Sequence, residues 1–144
     1  MAKLTQIAPD LYAAAQVDRA AIAEIAASGA KTLINNRPDG EEPGQLPAEQ
    51  ARAEAERLGL TYIHIPVTSS SIAPGDVEAM QQALDSAPKP VVMHCRSGTR
   101  STLLWAAGEV LAGRGDAGAL VADAAEKGFQ IASLPDLVAR LRQG

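Results

Sequence analysis

Cysteine occurs once in this chain and histidine twice, so no internal disulfide can form and no Cys/His zinc site can be completed. Aromatic residues make up only 3%, and alanine dominates the apolar share, which predicts helices packed closely through small side chains. No basic stripe is visible and the net charge is −4, which argues against general nucleic-acid binding. No apolar run approaches the roughly 20 residues of a membrane-crossing helix. Met1 to Gln6 lacks the apolar core of a secretory leader, so a reduced, cytoplasmic setting with no membrane partner is expected.

What is present is the composition of a globular protein, with 47% hydrophobic and 21% charged residues. A length of 144 residues predicts one domain over residues 1–144, large enough to close a core. Leu4 to Ile7 and Leu11 to Ala14 read as short strands around an Ala8-Pro9-Asp10 turn. Asp18 suits the N-cap of a helix with Ile22 and Ile25 on its apolar stripe, ended by Ser28-Gly29. Lys31 to Asn35 is a buried strand, followed by a polar loop dense in breakers from Arg37 to Gln45. Pro47 and Gly59 bracket a second helix, and Tyr62 to Val67 is the next strand. Pro74 and Asp76 open a third helix, with Asp76 read as its cap, and Pro90 to His94 forms the last strand. The remainder is helical, from Ser101, from Asp116 and from Ser133. Strands alternating with helices predict an α/β fold whose sheet is covered on both faces, with ligands at the carboxyl ends of the strands.

Cys95 falls at such an end, in His94-Cys95-Arg96-Ser97-Gly98-Thr99-Arg100-Ser101. A tight turn between strand and helix aims successive N–H groups inward as an anion-binding nest, and the helix adds its positive end. Both features, with Arg96 and Arg100, favour thiolate over thiol and mark Cys95 as a nucleophile for an anionic substrate. Arg96, Ser97, Gly98, Thr99 and Arg100 are the expected anion-binding residues. Arg100 is the better ligand, because its planar fork can fold back over the nest; Arg96 either points outward or joins it. Ser101 is expected to cap the helix and to donate its hydroxyl to the sulfur. His94 should face away from the nest as a buried hydrogen-bonding group, and Arg37 should add local positive potential. His64, between Ile63 and Ile65, reads as packing. Asp39 and Glu41, on the loop after Asn35, are within reach of the site, with Asp39 the expected acid.

The His-Cys-…-Gly-…-Arg-Ser pattern resembles the signature of cysteine-dependent tyrosine and dual-specificity phosphatases. Ile7-Ala-Pro-Asp-Leu-Tyr12, Thr32-Leu-Ile-Asn-Asn-Arg-Pro-Asp-Gly-Glu41, Tyr62-Ile-His-Ile-Pro-Val67 and Leu104-Trp105 extend the likeness. In combination they resemble the bacterial phosphatase-like family found alone or fused to β-lactamase-like hydrolases in sulfide-handling proteins. The resemblance implies a phosphatase-like fold with a mostly parallel central sheet and Cys95 as nucleophile.

Two departures shape the functional expectation. Four residues separate Cys95 from Arg100, one fewer than in the phosphatase signature, which resembles the loop of rhodanese sulfurtransferases. Where dual-specificity phosphatases carry a general-acid aspartate, this chain has Thr68 and Ser69. The leading expectation is therefore a cofactor- and metal-free sulfurtransferase. Cys95 would take the sulfane sulfur of thiosulfate or a small persulfide as Cys95–SSH and pass it to an external thiol acceptor. The alternatives are a phosphatase that acts on a phosphorylated substrate through a Cys95–phosphate intermediate, and a non-catalytic oxyanion-binding module.

Overall fold

Five short strands, each bounded by turn or breaker residues, set the frame of the computed structural model. It describes residues 3–143; Met1, Ala2 and Gly144, the ends of the expected domain, lie outside the described residues. The elements run β1 (Thr5–Ala8), β2 (Leu11–Ala14), α1 (Arg19–Ala27), β3 (Thr32–Asn35), α2 (Ala48–Arg57), β4 (Thr61–His64), α3 (Pro74–Ser86), β5 (Val91–His94), α4 (Thr99–Leu111), α5 (Ala117–Glu126) and α6 (Leu134–Gln143). The sheet order is β1-β2-β5-β3-β4; β1 pairs antiparallel with β2 and the other pairings are parallel. The mostly parallel α/β architecture expected from the strand–helix alternation is what forms.

Alternation along each strand decides which helices cover which face. Leu33 and Val92 point to one face, where they pack with Ile22 and Ile25 of α1 and Ala51 and Ala55 of α2. Ile34, Val91 and Met93 point to the other, against Val77 and Met80 of α3, Leu104 and Ala107 of α4, and Leu137 of α6. Small residues let α4 sink into this second layer. Ser101 through Leu104, Ala106, Ala107 and Gly108 are all buried, as expected of a helix with no polar face. At Gly108 a Cβ would lie 3.0 Å from Gln81 Cγ, and Gln81 Nε2 donates to the Gly108 carbonyl at 2.9 Å, so the Gln81 side chain of α3 packs directly on the α4 backbone.

Helix ends follow the side chains that satisfy their free N–H groups. Asp18 accepts from Ala21 N, Asp116 from Ala119 N, and the Asp76 carboxylate from Ala73 N, as its reading as a cap required. The expected start of α4 at Ser101 is corrected. The helix begins at Thr99, because left-handed Gly98 (φ +91°) turns the chain into it two residues early. The strand expected over Tyr62 to Val67 is also shorter: it ends at His64, and beyond it alternate residues bond back to the end of β3 and the residue after it. Ile65 N donates to Asn35 O and Val67 N to Asn36 O.

Candidate active site

The carboxyl ends of β2, β3, β4 and β5 converge, and the loops leaving them build one polar cluster. Asn36 N donates to His94 O at 2.8 Å and Gln16 N donates to Arg96 O at 3.1 Å, so the chains after β3 and β2 are tied to the cysteine loop on either side. Cys95 is fully buried at the end of β5. Its Sγ accepts the Gly98 N–H at 3.1 Å, which places a backbone dipole on the sulfur at the foot of α4. Glycine is required at 98 on two counts. The backbone is left-handed there, and a Cβ would stand 2.8 Å from Phe129 Cε1 and 3.3 Å from Ala14 O.

Ser101 lies on the first turn of α4, not at its cap, and its hydroxyl donates to Asn36 Oδ1 at 2.7 Å rather than to the thiol. Asn36 is buried and donates through Nδ2 to Ile65 O, so Ser101 and Asn36 together lock the helix start to the β3 and β4 ends. Thr102 Oγ1 returns to the Gly98 carbonyl at 2.8 Å, fixing the same turn from its other side. Ser97 is exposed, with its Oγ 3.4 Å from Thr99 N, and Arg96 is 68% exposed, which settles its direction as outward.

Charge gathers above the cysteine loop in a way the spacing of the arginines did not reveal. Arg100 Nη1 donates to Val67 O at 2.9 Å and to Glu41 Oε2 at 3.0 Å, while its Nη2 reaches Glu41 Oε1 at 3.3 Å. Glu41 Oε1 also accepts from Arg37 Nε at 2.7 Å. Arg37 is buried, donates through Nη1 to Gln16 Oε1 at 2.8 Å, and lies 3.2 Å from Glu42 Oε1. Arg96 stands 3.8 Å from the same Glu42 carboxylate. Three arginines and two glutamates thus form one network. Burial works to raise the Glu41 carboxyl, but hydrogen bonds from Arg37 and Arg100 outweigh it and hold the group below its usual range. Burial likewise opposes the Arg37 charge and is outweighed by Glu41 and Glu42, so the guanidinium stays cationic.

Of the two histidines, His64 donates through Nε2 to the Arg37 carbonyl at 3.0 Å and so supports the polar loop, a role beyond packing. His94 is buried as expected but without the expected partner; neither ring nitrogen meets a group in good hydrogen-bonding geometry. Burial pushes its imidazole down to about 4, so it is neutral at physiological pH. Asp39 makes a different contact from the expected one, since its carboxylate accepts Ala48 N at 2.8 Å and caps α2. Gln16, Asn36 and Glu42 are site residues that the motif spacing did not single out. Among the described residues no three His, Cys, Asp or Glu side chains converge as a metal site.

A thiol at the end of a central strand, an amide aimed at it, and an arginine on the first turn of the next helix is the arrangement of cysteine phosphatases. The family described as "Beta-lactamase hydrolase-like protein, phosphatase-like domain" matches residues 3–112. The chain belongs to that family. The beta-lactamase hydrolase-like protein of Agrobacterium fabrum (strain C58) is 41% identical over 112 residues, 78% of this chain and 26% of that protein. The chain therefore spans about a quarter of the length of that curated relative. A protein of Neisseria meningitidis, solved as a candidate phosphatase, is 32% identical with a TM-score of 0.84, over 96% of this chain and 97% of its own. TpbA of P. aeruginosa, solved with bound phosphotyrosine as a cysteine-to-serine variant, shares the fold at 18% identity, with a TM-score of 0.60 over 98% of this chain and 91% of that one.

These relations overturn the expected sulfurtransferase, and with it thiosulfate, the persulfide and the external thiol acceptor. The residue count between Cys95 and Arg100 does not measure the size of the cradle. With α4 starting at Thr99, that stretch is part loop and part first helical turn. The first turn of a helix brings N–H groups that have no intrahelical partner, so a shorter spacing does not by itself remove donors.

Proposed function

We propose that the chain is a cysteine-dependent phosphatase acting through a Cys95–phosphate intermediate. The observation that carries this reading is the Cys95 sulfur lying 3.1 Å from the Gly98 amide at the N-terminus of α4, within a phosphatase-like domain. In the first step Sγ attacks phosphorus, an S–P bond forms, and the ester P–O bond breaks with its electron pair leaving on the alcohol or phenol oxygen. In the second, water attacks phosphorus, the S–P bond breaks, and the thiolate returns with inorganic phosphate.

Arg100 and the amides from Arg96 to Ser101 are the groups suited to the phosphoryl oxygens, since these carry the negative charge in both steps. Arg96, Ser97 and Thr99 form the rim that meets the rest of the substrate. Ser101 acts by holding the helix start through Asn36, Arg37 acts by holding Glu41, which pairs with Arg100, and His94 fills a buried position at the end of β5. The single cysteine and the absence, among the described residues, of a helix able to cross a membrane support a cytoplasmic setting.

The substrates favoured are those with good leaving groups. Asp39 and Asp76 are committed to capping α2 and α3, and Thr68 and Ser69 cannot protonate an alkoxide at neutral pH. A positioned acid is worth about 10²–10⁴ in rate for a poor leaving group, and a phenolate needs little of it. The test is turnover of aryl against alkyl phosphate monoesters by wild type and Cys95→Ser. The reading expects kcat/KM for p-nitrophenyl phosphate to exceed that for phosphoserine by about 100-fold or more, with both lost in Cys95→Ser. Equal rates on the two esters, or activity that survives the substitution, would contradict it.

A further inference from the structure

Gly98 has to be held by something outside itself. Glycine adopts left- and right-handed backbone about equally, so nothing in residue 98 fixes the φ of +91° at which its N–H meets the Cys95 sulfur. The carbonyl side is fixed by Thr102, whose N–H and Oγ1 both donate to Gly98 O, at 3.1 and 2.8 Å. On the side where a Cβ would project, the edge of the Phe129 ring fills the space. An added Cβ would lie 2.8 Å from Phe129 Cε1 and 3.2 Å from Cζ, with Ala14 O closing the gap at 3.3 Å. Packing this close resists rotation of the Gly98 backbone, because the ring would have to move with it.

Phe129 owes its own place to the end of α5 and to the core, not to the cysteine loop. Gly128 turns left-handed (φ +96°), its N–H donates to Ala125 O at 3.1 Å, and Phe129 N donates to Ala124 O at 2.8 Å. This pair of bonds closes the helix and sends the next residue back toward the interior. There Phe129 is buried in one cluster with Ile131 and Leu134. Lys127 straps the same turn to the sheet, since its Nζ donates to Ile7 O of β1 at 3.2 Å and to Asp123 Oδ2 at 2.7 Å. The ring is thus anchored independently of the loop it touches, as a brace must be. It also lies beyond residue 112, where the family match ends.

We propose that Phe129 is a positioning residue for the nucleophile: it braces Gly98 in the left-handed conformation that puts the amide on the Cys95 sulfur. The helical segment after residue 112 then supplies a part of the active site. The effect on turnover rests on the phosphatase reading, and the effect on Gly98 rests on the contact alone. Because the Gly98 amide is engaged with sulfur, loosening it disturbs the attacking atom more than the binding of phosphoryl oxygens. The loss should fall on kcat and leave KM nearly unchanged.

The test compares Phe129→Leu with Leu137→Ala in the full chain. Leucine ends before the positions of Cε1 and Cζ, so it withdraws the part of Phe129 that meets Gly98. Leu137 lies on α6 in the same core, and its truncation should lower stability at least as much, read by urea unfolding. By NMR, the Gly98 N–H should exchange with solvent about tenfold faster in Phe129→Leu than in Leu137→Ala. On p-nitrophenyl phosphate, Phe129→Leu should lower kcat about tenfold with KM within about threefold of wild type, and Leu137→Ala should keep kcat within about twofold. Equal Gly98 exchange in the two variants overturns the brace, whatever the turnover. Faster exchange with unchanged kcat also overturns the proposal, since the amide would then be held without serving the nucleophile. If no folded form turns over the aryl phosphate, the phosphatase reading fails and the positioning role with it, and the exchange rates tell that outcome from failure of the contact. Should circular dichroism show Phe129→Leu unfolded, Phe129→Met takes its place, because its flexible chain fills the core without holding a ring edge on Gly98. The same two measurements then decide.

Discussion

Gly98→Ala perturbs one atom and reads out the geometry of the cysteine loop. Two costs follow from the backbone. At φ +91° an alanine sits where a Cβ crowds the neighbouring carbonyl, which costs about 1–2 kcal/mol. The new Cβ also stands 2.8 Å from Phe129 Cε1 and 3.3 Å from Ala14 O, and Phe129 is buried among the residues around α4 and α6. Forcing that ring aside is overpacking, about 1–3 kcal/mol. The sum, about 2–5 kcal/mol, is a large share of the stability of a domain this size. Urea unfolding followed by circular dichroism should show a lower midpoint with an unchanged slope. In a Phe129→Leu background the ring contribution shrinks and the backbone contribution stays, so Gly98→Ala should there cost at least about 1 kcal/mol. Activity should fall beyond what the lost stability explains, because the Gly98 amide is the one on the Cys95 sulfur. A stability loss below about 0.5 kcal/mol would refute the left-handed loop itself.

Three further outcomes are expected. Unfolded histidine takes up a proton near pH 6.5 while buried His94 waits until about 4, so stability should fall as pH drops between these values. From pH 7.5 to 5.0 that loss is about 2 kcal/mol, and His94→Gln should abolish it; an identical pH slope in the variant would show another group responsible. Arg100→Lys keeps the charge but not the planar fork, so kcat/KM on an aryl phosphate should drop about 10- to 100-fold, and near-normal turnover would remove Arg100 from the site. Ser101→Ala strips the buried Asn36 Oδ1 of its donor and should cost about 1–3 kcal/mol of stability, measured by denaturant unfolding, with no loss meaning that the contact does not form in solution.

The elements were legible wherever local chemistry decides them. Asp18, Pro47, Asp76 and Asp116 mark helix starts, Gly29 and Gly59 stand just past helix ends with positive φ, and the alternation of Leu33 with Ile34 foretells two covered faces. The place of the proposed nucleophile was legible too, because Cys95 stands at the bend between a strand and a helix with arginines one and five positions on. Two kinds of information were not. The start of α4 depends on Gly98 adopting a left-handed conformation against Phe129, and the two residues are 31 positions apart in sequence. The partners of Arg100 come from Glu41 and Val67, on loops after other strands, and only the sheet order β2-β5-β3-β4 brings these together. Motif spacing along the chain says nothing about such contacts. For the same reason the short Cys95–Arg100 interval does not report the chemistry, and nothing local to Asp39 shows that its carboxylate caps α2.

The most direct test of the central claim is rapid quenching of the protein during turnover of p-nitrophenyl phosphate, followed by peptide mass analysis. A Cys95–phosphate intermediate predicts one phosphoryl group on the peptide that contains Cys95, appearing with a stoichiometric burst of nitrophenol and missing in Cys95→Ser. Steady turnover with no burst and an unmodified Cys95 peptide would contradict it.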